Sequence, residues 1–203
     1  YIAAENGNLN FLEALLVNGA DPNLAKIDSG STPLLIATYP GQVGPVKMLL
    51  DAGADPNQAN TTAGTTPLFI AAQKGYLDVL EMLLAKGADP NKARTTDGAT
   101  PLYFAAQNGY IKIVMKLLLN GADPDKKTTV GKSPLNAALE NQYLEKKNRL
   151  QIVNILIQSG AHNSTRKEPS PPSGVTDESG ENNSANSYVM VSNPIASSGA
   201  DDS

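Results

Sequence analysis

The chain has 203 residues and contains no cysteine and no tryptophan. The missing cysteines exclude disulfides, thiolate zinc sites and cysteine nucleophiles. Its one histidine is His162. A single imidazole without thiolates does not build a common zinc site, and with no ordered partner in view it is a poor member of a Ser-His-Asp triad. Aromatic residues make up only 5% of the chain, so a core has to come from Leu, Ile, Val and Ala, which suits packed helices better than a sandwich. No apolar run approaches the roughly 18 residues that a membrane helix needs, and no signal peptide is visible. The chain opens on Tyr1 rather than Met, which leaves room for a further segment and any targeting signal ahead of it.

Charge of one sign is also scarce where it would matter. Residues 1–163 carry 14 Lys+Arg against 14 Asp+Glu, while residues 164–203 hold two basic and six acidic groups, together giving the formal net charge of -4. A neutral body lacks the basic face that phosphates demand, so no nucleic-acid partner is expected.

What the chain does contain is self-similarity. Gly-Ala-Asp-Pro-Asn occupies residues 19–23, 53–57 and 87–91, returns as Gly-Ala-Asp-Pro-Asp at 121–125, and closes in a worn copy at 160–163. The first four glycines are 34 residues apart and the last gap is 39. A second string keeps phase with the first: Thr32-Pro33-Leu34, Thr66-Pro67-Leu68, Thr100-Pro101-Leu102 and Ser133-Pro134-Leu135.

Each unit predicts helix, turn, helix, extended hairpin loop. A Thr or Ser before Pro starts a helix, because its hydroxyl accepts an orphan backbone N–H and proline's fixed φ suits the first helical position. The helix passes through Ala71-Ala72 or Ala105-Ala106, small enough for close contact, and stops at Gly41, Gly75 or Gly109. A second helix carries Leu77, Leu80, Leu83 and Leu84, or Ile111, Val114, Leu117 and Leu118, at helical spacing for a core. Gly53, Gly87 and Gly121 end it, and Asp-Pro with a polar, Thr-rich stretch disfavours helix until the next cap.

These strings resemble the ankyrin repeat, a unit of about 33 residues with a T-P-L-H-x-A signature. The resemblance covers residues 1 to about 163, with a partial first repeat over 1–19 and a degenerate last one over 133–161. It implies an all-α ankyrin-repeat solenoid over 1–163, followed by a disordered acidic Ser/Pro-rich tail over 164–203. Three departures carry expectations. Leu35, Phe69, Tyr103 and Asn136 replace the family's His, so its hydrogen bonds should be lost and packing should substitute. Thr38, Pro40 and Pro45 should shorten or loosen the second pair of helices. In the last repeat, Pro134 to Gly160 spans 26 residues where earlier copies span 20. The six extra residues, near 143–149, should give a longer helix pair or a protruding loop.

The resemblance also implies a protein-binding module whose concave side, made of hairpin tips and first helices, holds a partner. The matching tip residues are Asp28, Ser29 and Ser31; Thr62 and Thr65; Thr96 and Asp97; Thr129 and Lys132. The matching first-helix residues are Tyr39; Gln73 and Lys74; Gln107 and Asn108; Glu140 and Asn141. Tyr39 is the best single anchor, since an exposed aromatic can be a binding hot spot. Phe69, Tyr103 and Phe104 read as packing between repeats rather than as a pocket. The basic residues Lys126, Lys127, Lys132, Lys146, Lys147 and Arg149 are interspersed with acidic ones and read as a solvated face.

No catalytic or metal motif survives inspection, and no enzyme activity or cofactor is expected. Gly131-Lys132-Ser133 looks like the end of a phosphate loop, but Lys126 stands where the pattern needs Gly. In the tail, residues 169–172 offer P-x-x-P after Arg166 and Lys167, and residues 188–191 form one apolar island. Both read as linker before ligand. The expectation is a monomeric, cytoplasmic binding protein without membrane insertion, in a host cell's cytoplasm if it is a secreted effector. The alternative is a substrate-recruiting piece of an enzyme whose catalytic domain lies outside this chain.

Overall fold

The computed structural model describes residues 1–161. Among them lie ten helices and no strand: α1 (Ile2–Glu5), α2 (Leu9–Val17), α3 (Pro33–Thr38), α4 (Val43–Asp51), α5 (Pro67–Lys74), α6 (Leu77–Ala85), α7 (Pro101–Asn108), α8 (Ile111–Leu119), α9 (Pro134–Glu140) and α10 (Lys146–Gln158). Odd-numbered helices pack on one another in sequence order to make a first row, and even-numbered helices make a second. No helix among the described residues is long and apolar enough to cross a membrane.

The repeated strings explain the helix ends. Thr32, Thr66, Thr100 and Ser133 each accept, through the side-chain oxygen, the backbone N–H three residues on, and the intervening proline sits in the first turn. Each cap stabilises its helix by about 1 kcal/mol. At the other end of α5 and α7, Gly75 and Gly109 take φ of 84° and 81°. At Gly75 a Cβ would lie 2.8 Å from the Tyr110 ring of the next unit, so glycine serves both the left-handed turn and the seat for that ring.

The apolar stripes form one continuous core running through all five units. Leu34, Leu68, Leu102 and Leu135 enter it from the first row, and Leu49, Leu83, Leu117 and Leu156 from the second, with Ala71, Ala72, Ala105 and Ala106 letting the helices approach. Burying one such leucine is worth about 1.5–3 kcal/mol. No single unit could bury its own stripe, so stability is shared between neighbours.

Two polar ladders run alongside the core. Asn23, Asn57 and Asn91 each accept through Oδ1 from the N–H of Asp55, Asp89 and Asp123, all at 2.7 Å. Each also donates through Nδ2 to the C=O of Gly53, Gly87 and Gly121, at 3.1, 2.9 and 2.8 Å. At the hairpin tips, the N–H groups of Thr61, Thr95 and Thr129 donate to the C=O of Ser29, Ala63 and Asp97 at 2.8–2.9 Å. The repeated Asn is therefore a bridge between units.

Three expectations need correction or refinement. The second unit is short only in α3, whereas α4 has the same nine residues as α6 and α8. Pro45 stands third in α4, inside the first turn, where a backbone N–H has no helical partner to lose. The hydrogen bonds tied to the family's histidine position are replaced by packing at Leu35 and Phe69 but not at Asn136. There Oδ1 accepts from the Ser133 N–H at 3.0 Å and the Ser133 hydroxyl at 2.9 Å, closing a capping box. The extra residues of the last unit divide between helix and loop: α10 has 13 residues where α8 has nine, and five residues join α9 to α10 where two join α7 to α8. Tyr143 stands out from that connection, exposed.

The expectations placed on residues 162–203 lie outside the described residues: the disordered tail, His162, and the segments at 169–172 and 188–191.

Candidate functional site

The hairpin tips close in the same way in each unit. In the tip after α4, the Asn60 N–H donates to the Thr65 C=O and the Gly64 N–H to the Asn60 C=O, at 3.0 and 3.1 Å. Asn60 Oδ1 accepts from the Ala63 and Thr65 N–H groups as well. This closure draws Thr65 inside, where its side chain is buried, so Thr65 is not available to a partner. The other expected tip residues reach solvent in varying degree. Asp28, Thr62, Thr96 and Thr129 are exposed, and Ser29, Ser31, Asp97 and Lys132 are half-buried.

On the first row, Tyr39, Lys74, Asn108 and Glu140 are exposed, while Gln73, Gln107 and Asn141 are half-buried. Two of these amides also tie neighbouring units. Asn108 Nδ2 donates to the Gln73 C=O at 2.9 Å and Asn141 Nδ2 to the Gln107 C=O at 2.6 Å. Tyr39 keeps its ring in solvent while its C=O accepts the Tyr76 hydroxyl at 3.4 Å.

The structure builds one compact cluster on this surface. Leu35, Phe69, Ile70 and Ala99 form a small apolar group of their own, with Tyr103 and Phe104 packed against it. The Phe69 and Phe104 rings meet edge to face at 5.2 Å, and Phe104 meets Tyr103 likewise at 5.5 Å. The Arg94 guanidinium lies 5.1 Å from the Phe69 ring centre and 5.2 Å from that of Phe104. From there Arg94 grips both carboxylate oxygens of Asp97, Nε to Oδ1 at 3.0 Å and the second nitrogen to Oδ2. Lys132 pairs with Glu140 beside it.

Electrostatics shows these groups feeling one another. The hydrogen bond from Arg94 holds the Asp97 carboxyl below its ordinary value against the opposing effect of burial, with a further bond from the Ala99 N–H. Burial pushes the Tyr103 phenol up; the Lys132 charge opposes this, and the Glu140 and Asp97 charges add to it. The Glu140 hydrogen bond raises the Lys132 ammonium. Asp97, Lys132 and Glu140, three expected contact residues, are thus brought together around Tyr103.

Tyr103 and Arg94 were not among the expected contact residues. Tyr103 does pack, as the sequence implied, but it remains partly open to solvent. The available signal for Arg94 was an arginine one turn ahead of the Thr-Pro cap, in phase with two aromatic positions a unit apart. Among the described residues, no group of three or more His, Cys, Asp or Glu is placed to hold a metal ion.

No curated protein matches the chain. The family model described as ankyrin repeats, in three copies, matches residues 1–94 and 91–167, most of the 203. That match, the 34-residue phase and the two rows of helices agree: the chain belongs to the ankyrin-repeat family.

Proposed function

We propose that this chain is a monomeric binding module, with residues 1–163 as its repeat domain, and that it holds a protein partner on the concave face formed by hairpin tips and first helices. Ankyrin repeats are in general protein–protein interaction modules of a typically non-catalytic fold. The observation that carries the finer reading is the Arg94–Asp97–Tyr103–Lys132–Glu140 cluster. It is a charged and aromatic patch held stiff by stacked rings, on a surface whose outward side chains the core does not require. Tyr and Arg set in rigid surroundings are the residue types that dominate interface energies. Mixed charges give such a patch directionality, favouring a partner with its own paired acid and base.

Photocrosslinking tests the assignment. A crosslinking residue at Gln107, between Tyr39 and the cluster along the first row, is compared with one at Lys112 on the second row. Partner protein should be captured from Gln107 and lost when Tyr103→Ala and Lys132→Ala are combined. Equal capture from Lys112, or capture indifferent to the double substitution, overturns the concave-face reading.

A further inference from the structure

The 34-residue phase lets each side chain be compared with its counterparts in other units, and the α1–α2 end of the stack departs from the rest. Ile2 is 71% exposed, whereas its counterparts Ile36 and Ile70 are 8% and 3% exposed. Phe11 is 52% exposed where Val79 and Ile113 are 1% and 2%, and Leu15 is 37% exposed where Leu49, Leu83 and Leu117 are at most 1%. In every later unit these positions are covered by the unit before. The first unit therefore carries the apolar residues of an interior unit on an uncovered face.

The polar ladders end at the same face. Asp55, Asp89 and Asp123 donate their N–H groups to the Asn of the preceding unit, and Gly53, Gly87 and Gly121 accept from it. Asp21 and Gly19 hold those places in the first unit, with no preceding Asn in the chain. Thr61, Thr95 and Thr129 donate to the preceding tip, and Ile27 holds that place in the first tip, fully exposed. Apolar positions and three backbone groups thus share one register.

We propose that this face is a docking surface for one more ankyrin-type helix–turn–helix unit, joined ahead of Tyr1 and carrying an Asn in its Gly-Ala-Asp-Pro-Asn turn. The chain itself specifies that occupant, because the surface continues an interface formed four times downstream. Tyr1-Ile2-Ala3-Ala4 also continues a Thr-Pro-Leu cap in the manner of Phe69-Ile70-Ala71-Ala72. A second copy of the chain packed end to end is the competing occupant, and the two differ in measurable ways. The inference is independent of what the concave face binds.

The test extends the full chain by a copy of its own residues 32–68 placed directly before Tyr1, and follows amide hydrogen exchange. Exchange at Asp21 and Ile27 should slow at least tenfold relative to the parent. An Ala in place of the copied Asn57 should restore fast exchange at Asp21 while leaving Ile27 slow. Unchanged exchange at both amides overturns the proposal. So does a parent that sediments as a dimer and is made monomeric by Phe11→Ser with Leu15→Ser. That double variant in the parent also decides the matter should the extended chain fail to fold. Its urea midpoint should match the parent's, and a loss as large as that of Leu83→Ala would show the face already packed within the chain.

Discussion

Replacing Asn57 by alanine removes both bonds of one bridge between units: Oδ1 with the Asp89 N–H at 2.7 Å and Nδ2 with the Gly87 C=O at 2.9 Å. A neutral hydrogen bond contributes about 0.5–1.5 kcal/mol net, so two sum to about 1–3 kcal/mol. Because Asn57 is only half-buried and water re-solvates the two backbone groups, about 1–2 kcal/mol is expected. In a domain of this size that lowers Tm by about 2–8 °C.

Asn57→Asp is the sharper probe. It keeps an oxygen to accept from the Asp89 N–H but sets a second oxygen against the Gly87 C=O, where neither can donate. Only the protonated carboxyl restores that bond, so folding raises its pKa above the unfolded value of about 3.9. The penalty is absent below the unfolded pKa, grows as pH rises through the folded pKa, and is complete at neutral pH. Urea unfolding followed by circular dichroism, each variant against the parent at each pH, should show the aspartate variant weaker than the alanine variant near pH 7 and recovering on acidification. An alanine variant within about 0.5 kcal/mol of the parent, the spread of ordinary surface changes, refutes the bridge.

Two further predictions concern the tips. Gly64→Ala should destabilise more than Gly53→Ala in thermal unfolding. Both hold φ in the left-handed region, costing about 1–2 kcal/mol, but a Cβ at Gly64 would also lie 2.9 Å from the Thr95 backbone nitrogen and displace a bond of about 1 kcal/mol, whereas nothing lies within 4 Å at Gly53. Asp97, its carboxyl held low chiefly by Arg94, contributes stability that is present above its unfolded pKa and lost as pH falls through its folded one. An Asp97→Asn variant should therefore show a shallower acid-side decline in its urea midpoint than the parent.

The repeat phase, the caps and the core stripes could be read directly, because each is a local pattern copied four times. Pro45 misled because a proline's effect depends on its place within the turn, which composition does not reveal. Asn136 misled because its amide takes the capping role through a neighbour three residues away. Thr65 was taken for surface because its Asn60-closed tip is shaped by backbone bonds that leave no periodic trace. The Arg94 cluster joins residues 25 and 10 positions apart in sequence, Phe69 and Phe104, and such a meeting exists only once the units are stacked.

The Asn bridges have a consequence for how this chain can change length. Excising residues 54–87 would bring Asn23 opposite Asp89 and Gly87's role to its neighbour's copy, with every donor meeting an acceptor of the same kind. Duplicating those residues does the same in reverse. An array bonded in this way tolerates whole-unit recombination, while a slip of even one residue breaks all its rungs together, so inheritance can lengthen or trim it only in steps of 34.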